Sequence, residues 1–266
     1  GVSDGTTEVG VREGNGYAKI TLIKLDCDEN DYDLSGPTIT FGTNGNTTYA
    51  KSQSSTITVT DNVGVDASSL KYIWTTNISS TPTTSFVNGS NQTLNNVTGT
   101  YYLKAYACDV NGNCTTAISN PFKLDNIAPE ITFGTNGNTT YAKSQSSTII
   151  VTDLYSGGNT ETYKYVWSTS TTATPTTGFI SGNNYTKSDV TGDYYLVVTA
   201  CDNAGNCTSK QASNVFKLDN EAPTITLAPD GNTTYAKSQS SKITVTDNKS
   251  GGKADTYKYI WSTSTT

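Results

Sequence analysis

The sequence contains no histidine and no methionine, and only 15% of its 266 residues are charged. Without histidine, Ser-His-Asp triads, Cys-His dyads and His-ligated zinc sites are excluded. The sequence also offers no other nucleophile-and-base pattern and no phosphate-binding glycine loop after a strand. We therefore expect that the chain is not an enzyme.

Positive charge is scarce, since the sequence has 17 Lys and Arg residues and 23 Asp and Glu residues, which gives a net charge of −6. This balance cannot neutralise phosphates, so nucleic acid is excluded as a partner. No run approaches the roughly 20 apolar residues that a membrane span requires, so no span is predicted. The chain starts at Gly1 without a methionine, which is compatible with a signal sequence lost from a longer protein.

The most informative feature is an internal repeat. Two 19-residue segments, Ile39–Ile57 and Ile131–Ile149, are identical, and part of the same sequence starts again at Gly231. Three tryptophans keep the same period, with spacings of 93 and 94 residues: Trp74, Trp167 and Trp261. A period of this length is too long for a solenoid unit and suits a domain with its own core.

The repeat divides the chain into four predicted segments. Residues 1–35 are the end of a preceding domain followed by an acidic linker. Residues 36–126 are the first unit, 127–220 the second unit, and 221–266 an incomplete third unit. Because the third unit stops just after its tryptophan, we expect the natural chain to continue.

Each unit has the pattern of an antiparallel β-sandwich. Short runs alternate apolar and polar residues, as at Tyr194, Leu196, Val198 and Ala200, with Gly- and Asn-rich turns between them. No long 3.6-residue apolar stripe predicts a helix. About seven short strands in about 93 residues predict an all-β chain of tandem immunoglobulin-like sandwiches, arranged as beads on a string.

Four motifs of the second unit carry a family resemblance, and the first unit repeats them: Tyr165 with Trp167, Thr191–Leu196, Cys201–Thr208 and Leu218–Pro223. With them the chain resembles the bacterial immunoglobulin-like (Big-type) repeats of extracellular surface proteins. The resemblance covers residues 36–266 and implies the sandwich fold and an extracellular setting. The stretch 10–25 resembles the exit of a Gly-rich domain found ahead of such repeats.

The five cysteines suggest two hairpin bridges. Cys108 with Cys114, and Cys201 with Cys207, share the spacing C-x5-C around a predicted turn, where neighbouring strands are close enough for a disulfide. Reduced thiols or a zinc site are the alternatives, although the spacing lacks a C-x2-C knuckle. Disulfides imply an oxidising location. Cys27 is left over, either free or paired elsewhere.

Aspartates at the predicted junctions and loops are the candidate metal ligands. Asp125 and Asp219 close the units, and Asp202 lies in a predicted loop, as do Asp153 and Asn206. Junction carboxylates can bind calcium and lock neighbouring units together. Aspartate is also an ordinary turn former, and this is the favoured interpretation. We therefore expect no cofactor, with calcium as the alternative.

Tyrosines that face away from the predicted core, at Tyr102, Tyr106 and Tyr195, are candidates for stacking on sugars. The TTYAKS motif repeats a further set: Tyr49, Tyr141 and Tyr235. The alternative, which we favour, is that these rings cover a sheet or pack at a junction.

Near-identical adjacent units favour a structural spacer, because a spacer needs length more than a unique site. We expect a stalk of a bacterial cell-surface protein or adhesin that projects a distal module and binds its ligand through other regions. The first alternative is that the repeats themselves bind glycan or protein, with avidity from repetition. The second is a fibre-forming or phage-fibre component, with self-association through an edge strand or junction.

Overall fold

The computed structural model describes residues 33–265, so the stretch 10–25, which resembles the exit of a Gly-rich domain, and Cys27 lie outside the described residues. The described part is built of strands, with two 3-10 helices of three residues, Ala67–Ser69 and Ala254–Thr256. The strands are β1 (Thr38–Phe41), β2 (Ser52–Thr60), β3 (Lys71–Thr75), β4 (Thr84–Ser85), β5 (Asn91–Asn95), β6 (Gly99–Cys108), β7 (Cys114–Ile118), β8 (Phe122–Leu124), β9 (Glu130–Phe133), β10 (Ser144–Thr152), β11 (Gly158–Ser168), β12 (Thr177–Gly178), β13 (Asn184–Ser188), β14 (Gly192–Asp202), β15 (Gln211–Ala212), β16 (Phe216–Leu218), β17 (Thr224–Ala228) and β18 (Lys242–Thr246).

The first unit has two antiparallel sheets. One has the order β1-β2-β5, and the other has the order β4-β3-β6-β7, with β8 pairing the first residues of β6. The alternation in β6 explains the layering, because Leu103, Ala105 and Ala107 are fully buried while Lys104 and Tyr106 between them are half-buried. The buried residues meet Ile57 and Phe122 in one core.

The second unit repeats this architecture with sheets ordered β9-β10-β13 and β12-β11-β14-β15, and with β16 pairing the start of β14. Its core is separate and includes Ile149, Leu196 and Val198, all fully buried. Trp167 packs edge-on against Phe216 at 5.0 Å, as Trp74 packs against Phe122 in the first unit at 4.9 Å. The predicted all-β architecture of antiparallel sandwiches is confirmed.

The third unit contributes a single hairpin, β17 paired with β18. Two of its apolar side chains are exposed where their counterparts in the second unit are buried: Ile225 is 64% exposed against 2% for Ile131, and Ile243 is 43% exposed against 0% for Ile149. Trp261 is 68% exposed. The hairpin therefore presents the face that a second sheet covers in the other two units.

In each of the first two units, the identical 19-residue segment is hydrogen-bonded to the last strand of that unit, β8 or β16. Asn46 accepts a hydrogen bond from the backbone N–H of Lys123 at 2.8 Å, and Asn138 accepts one from Lys217 at 2.6 Å. Gly45, with φ of +81°, passes so close to Asn120 that a Cβ there would lie 2.6 Å from the Asn120 side chain. These contacts give a structural reason for the repetition of GTNGN.

Within residues 33–265, no helix has the length and apolar character to cross a membrane.

Candidate functional site at the unit junctions

The point where the first unit meets the second, called the first-to-second junction below, is organised around Asp125. This residue follows the buried strand β8 and is itself 0% exposed. Its backbone N–H donates to the carbonyl of Ala50 at 3.0 Å, which ties it to the first unit. One side-chain oxygen accepts from the N–H of Ile127 at 3.0 Å, an Asx-type turn that redirects the chain.

The second unit donates two further hydrogen bonds to Asp125. The backbone N–H of Ser156 reaches the other carboxylate oxygen at 3.1 Å. The side-chain amide of Asn206 reaches the backbone carbonyl at 2.9 Å. Asp125 therefore belongs to the first unit by sequence and to both units by its bonds.

Two loops of the second unit supply the remaining carboxylates. Asp153 follows β10 and accepts from the backbone N–H groups of Tyr155 and Gly157, at 3.2 and 2.6 Å. Asp202 ends β14, is 1% exposed, and accepts from the backbone and side-chain amides of Asn206, each at 2.7 Å. Carboxylate oxygens of Asp125, Asp153 and Asp202 all lie within 4.8 Å of one another.

The Cys201–Cys207 disulfide closes the loop that presents Asp202 and Asn206, with the two Cα atoms 3.9 Å apart. The first unit carries the same arrangement, with Cys108 and Cys114 joined across Cα atoms 4.0 Å apart. Each disulfide thus restrains one loop of a carboxylate cluster, an arrangement that the sequence pattern alone did not predict.

An equivalent cluster lies at the beginning of the first unit. Asp33, Asp61 and Asp109 have carboxylate oxygens within 4.8 Å of one another. Asn113 donates to the backbone carbonyl of Asp33 at 2.8 Å and to Asp109 at 2.7 Å, as Asn206 does for Asp125 and Asp202. Burial pushes the pKa of Asp109 up, but hydrogen bonds led by the Asn113 side chain outweigh it and hold that pKa below its ordinary value of 3.8.

The junction between the second and third units contains two aspartates, which are equivalent to Asp125 and Asp153 of the first-to-second junction. Asp219 accepts from the backbone N–H of Ser250 at 3.0 Å, and Asp247 accepts from Lys249 and Gly251 at 2.9 and 2.8 Å. Hydrogen bonding by Ser250 holds the pKa of Asp219 below its ordinary value of 3.8. The third carboxylate of the pattern has no counterpart among residues 33–265.

Of the predicted metal candidates, Asp125 and Asp202 lie together, whereas Asp219 belongs to the next junction. Asp153, a loop aspartate considered with these candidates, completes the cluster with Asp125 and Asp202. Sequence reasoning missed four members: Asp33, Asp61, Asp109 and Asp247. The repeat period could have identified them, because it relates three sets of equivalent aspartates. These sets are residues 33, 125 and 219; residues 61, 153 and 247; and residues 109 and 202.

Among residues 33–265, no lysine nitrogen lies within 4.0 Å of a carboxylate of these clusters, since the only lysine–carboxylate pairs at that distance are Lys217–Asp193 and Lys253–Asp255. The hydrogen-bond donors to the clusters are neutral N–H groups. Three carboxylates at this separation repel one another, and a cation of suitable size would relieve that repulsion.

The tyrosines of the TTYAKS motif are packed in the first two units. Tyr49 contacts Tyr155 of the second unit edge-on, with ring centroids 6.1 Å apart, and the Lys123 ammonium lies 5.5 Å from the Tyr49 centroid. Lys217 lies in the same way over Tyr141, at 5.1 Å. Tyr235 of the third unit is fully exposed.

The tyrosines predicted to face outward are half-buried. On β6, Tyr102 and Tyr106 alternate with the buried Leu103, Ala105 and Ala107, so they lie on the outer side of the sheet. On β14, Tyr195 lies on the face opposite to the buried Leu196, and Val197 on the same face as Tyr195 is also fully buried. The Tyr106 hydroxyl lies 3.0 Å from the Sγ atom of Cys108. Tyr102 and Tyr106 lie on one strand of the first unit, and Tyr195 lies on a strand of the second unit.

Comparison with known proteins shows similarity to β-sandwich modules. No protein-family model matches the chain, including any of the Big type, and no curated protein matches it. It is similar to the fibronectin(III)-like modules of Clostridium thermocellum CbhA (15% identity, TM-score 0.29, covering 68% of this chain and 94% of that one). It is also similar to the FN1–FN3 domains of chicken CNTN1 (14% identity, TM-score 0.34, 72% and 70% covered) and to Bacteroides ovatus SGBP-B (18%, 0.25, 70% and 48%), solved with a mixed-linkage heptasaccharide. Similarities of this size carry no inference about function.

Proposed function

We propose that the chain is a non-catalytic stalk segment of an extracellular, bacterial surface protein that holds a distal module away from the cell. Its ligand, a glycan or a protein, is bound by regions outside these residues. Two disulfides support an oxidising, extracellular location. The low charge and the absence of histidine support a structural rather than a catalytic role.

The observation that carries this proposal is the bonding of Asp125. A fully buried side chain that accepts from Ile127 and Ser156, and a backbone carbonyl bonded by Asn206, connect two units through a single residue. Asp219 repeats the bond to the next unit through Ser250. Buried junction residues that are hydrogen-bonded to both units restrict the relative orientation of those units. A stalk requires this restriction.

Binding by the repeats themselves is less well supported. Sugar stacking needs aromatic rings on an open surface. The repeated ring of Tyr49 contacts Tyr155 and Lys123 instead, and Tyr141 contacts Lys217.

Small-angle scattering from the 266-residue chain tests the stalk. A unit whose strands reach 11 residues is about 35 Å long, so stacked units give an extended particle with a sharp maximum dimension. The comparison variant carries Gly-Gly-Ser-Gly inserted between Asn126 and Ile127, which separates Asp125 from Ser156. We expect the native chain to be stiffer than this variant. Equal flexibility of the two chains would overturn the proposal.

A further inference from the structure

We propose that the clusters Asp33–Asp61–Asp109 and Asp125–Asp153–Asp202 each bind one Ca²⁺ ion, and that the ion at the second cluster joins the first unit to the second. The proposal rests on the stalk function for its consequence, the stiffness of the chain.

One carboxylate oxygen of the cluster at the start of the first unit is unsatisfied. Among residues 33–265, Oδ2 of Asp33 has no hydrogen-bond partner, and less than 1 Å² of its surface is exposed. A buried carboxylate oxygen without a donor is strongly disfavoured. The carboxylate that carries this oxygen is one of the three that converge, so a cation bound there supplies the missing partner.

The spacing and the chemistry of the candidate ligands fit Ca²⁺. Two oxygens that each lie about 2.4 Å from one Ca²⁺ ion are at most about 4.8 Å apart, and both clusters meet this limit. All the candidate ligands are oxygens, and the sequence has no histidine. The cysteines next to Asp109 and Asp202 are disulfide-bonded, so they offer no thiolate. Hard oxygen ligands of this kind favour Ca²⁺ over zinc or copper.

One aspartate in each cluster uses only one of its carboxylate oxygens for its own turn. Asp153 binds its own turn through Oδ1 alone, and Asp61 does the same, with bonds from Val63 and Gly64 at 2.9 and 3.0 Å. In both residues no described donor occupies Oδ2. Each of these aspartates therefore shapes its loop with one oxygen and keeps the other for a ligand.

The position of the second cluster explains what the ion would do. Asp125 comes from the first unit, and Asp153 and Asp202 come from two loops of the second. An ion bound by all three connects the units at the residue where they are already hydrogen-bonded. Its loss leaves three like charges that push the same residues apart.

Calorimetric titration of the chelator-treated 266-residue chain with CaCl2 tests the sites. We expect two sites with Kd of roughly 10⁻⁴ M, the range of extracellular calcium modules, and at least tenfold weaker binding of Mg²⁺. Asp153→Asn keeps the Oδ1 acceptor that its turn needs and should reduce the stoichiometry from two to one. Asp61→Asn should remove the other site. Asp189→Asn, an exposed carboxylate of the second unit, is the matched control and should leave two sites.

Scattering measured with Ca²⁺ and with a chelator separates this proposal from the stalk. The stalk and the calcium sites are both supported if the native chain stiffens in Ca²⁺ and the Asp153→Asn chain does not. A stiff chain without Ca²⁺ binding overturns the calcium sites and leaves the stalk. Two bound ions in a chain that stays freely jointed overturn the stalk and leave the sites. Binding of Mg²⁺ as tight as that of Ca²⁺, or no change of stoichiometry in Asp153→Asn, overturns the assignment.

Discussion

Asn206 of the second unit donates its side-chain amide to the backbone carbonyl of Asp125, the last fully buried residue of the first unit, at 2.9 Å. The same amide also donates to Asp202 at 2.7 Å. Asn113 makes the equivalent pair of bonds one period earlier, to Asp33 and Asp109. In each of these two units, one asparagine therefore connects the disulfide-closed loop to the aspartate that precedes the unit.

Replacement of that asparagine should weaken both the loop and the junction. In Asn206→Ala, the Asp125 carbonyl and one Asp202 oxygen lose a buried donor, so we expect the free energy of unfolding to fall by about 1–3 kcal/mol. Urea denaturation measures the change. Asn183→Ala removes an exposed asparagine of the same unit and should change the free energy by less than about 0.5 kcal/mol. Equal effects of the two substitutions would contradict the role given to Asn206.

Removal of a disulfide should act mainly on its own loop. Cys201–Cys207 closes a short loop, so the double variant Cys201→Ser/Cys207→Ser should lose about 2 kcal/mol of stability. We expect faster amide hydrogen exchange in residues 202–206 of this variant. The matched variant, Cys108→Ser/Cys114→Ser, should show the faster exchange in residues 109–113 instead. Unchanged exchange in either loop would show that the disulfide does not hold it.

A methyl group at Gly158 should disturb the second core. A Cβ there would lie 1.7 Å from the hydroxyl of Tyr163, which is only 4% exposed and has little room to move. We expect Gly158→Ala to destabilise the chain by about 1–3 kcal/mol in thermal denaturation. Gly178→Ala, whose Cβ would have its nearest neighbour at 3.8 Å, is the control and should be nearly neutral. Part of the loss should return in Gly158→Ala/Tyr163→Phe, since the clashing oxygen is then gone.

The same tyrosine should affect stability at alkaline pH. Burial of Tyr163, and secondarily the charge of Asp153, raises the pKa of its hydroxyl above the ordinary 10.0. The folded state therefore holds this proton more tightly than the unfolded state. The resulting stability is fully present below pH 10 and is lost as the pH rises through the folded pKa. As the pH rises above 10, Tyr163→Phe should lose less stability than the native chain. Identical pH profiles would refute this.

The strand pattern was predictable because it is local. Alternation at Leu196, Val198 and Ala200 depends on neighbours two residues apart, and the core of the second unit uses these residues as expected. The small helices were not expected, since three residues such as Ala67–Ser69 leave no periodic signal. The unit bounds and the metal sites remain predictions.

The carboxylate clusters were harder to predict because their members are far apart in sequence. Asp125 and Asp202 are separated by most of a unit, and aspartate in a loop is ordinarily a turn former. Only the repeat period connects Asp33, Asp61 and Asp109 with the second cluster. The half-buried state of the outer tyrosines also depends on sheet pairing rather than on local pattern.

The repetition of GTNGN has a consequence for folding. The last strands of the first two units share the sequence FKLDN and differ in the residue before it, Pro121 in the first unit and Val215 in the second. The bond from Lys123 to Asn46 and the bond from Lys217 to Asn138 can form in either pairing, so these shared contacts do not distinguish correct from exchanged pairing between neighbours. Chain connectivity and the order of synthesis must do so, which makes exchange of strands between adjacent units the characteristic misfolded state of this chain.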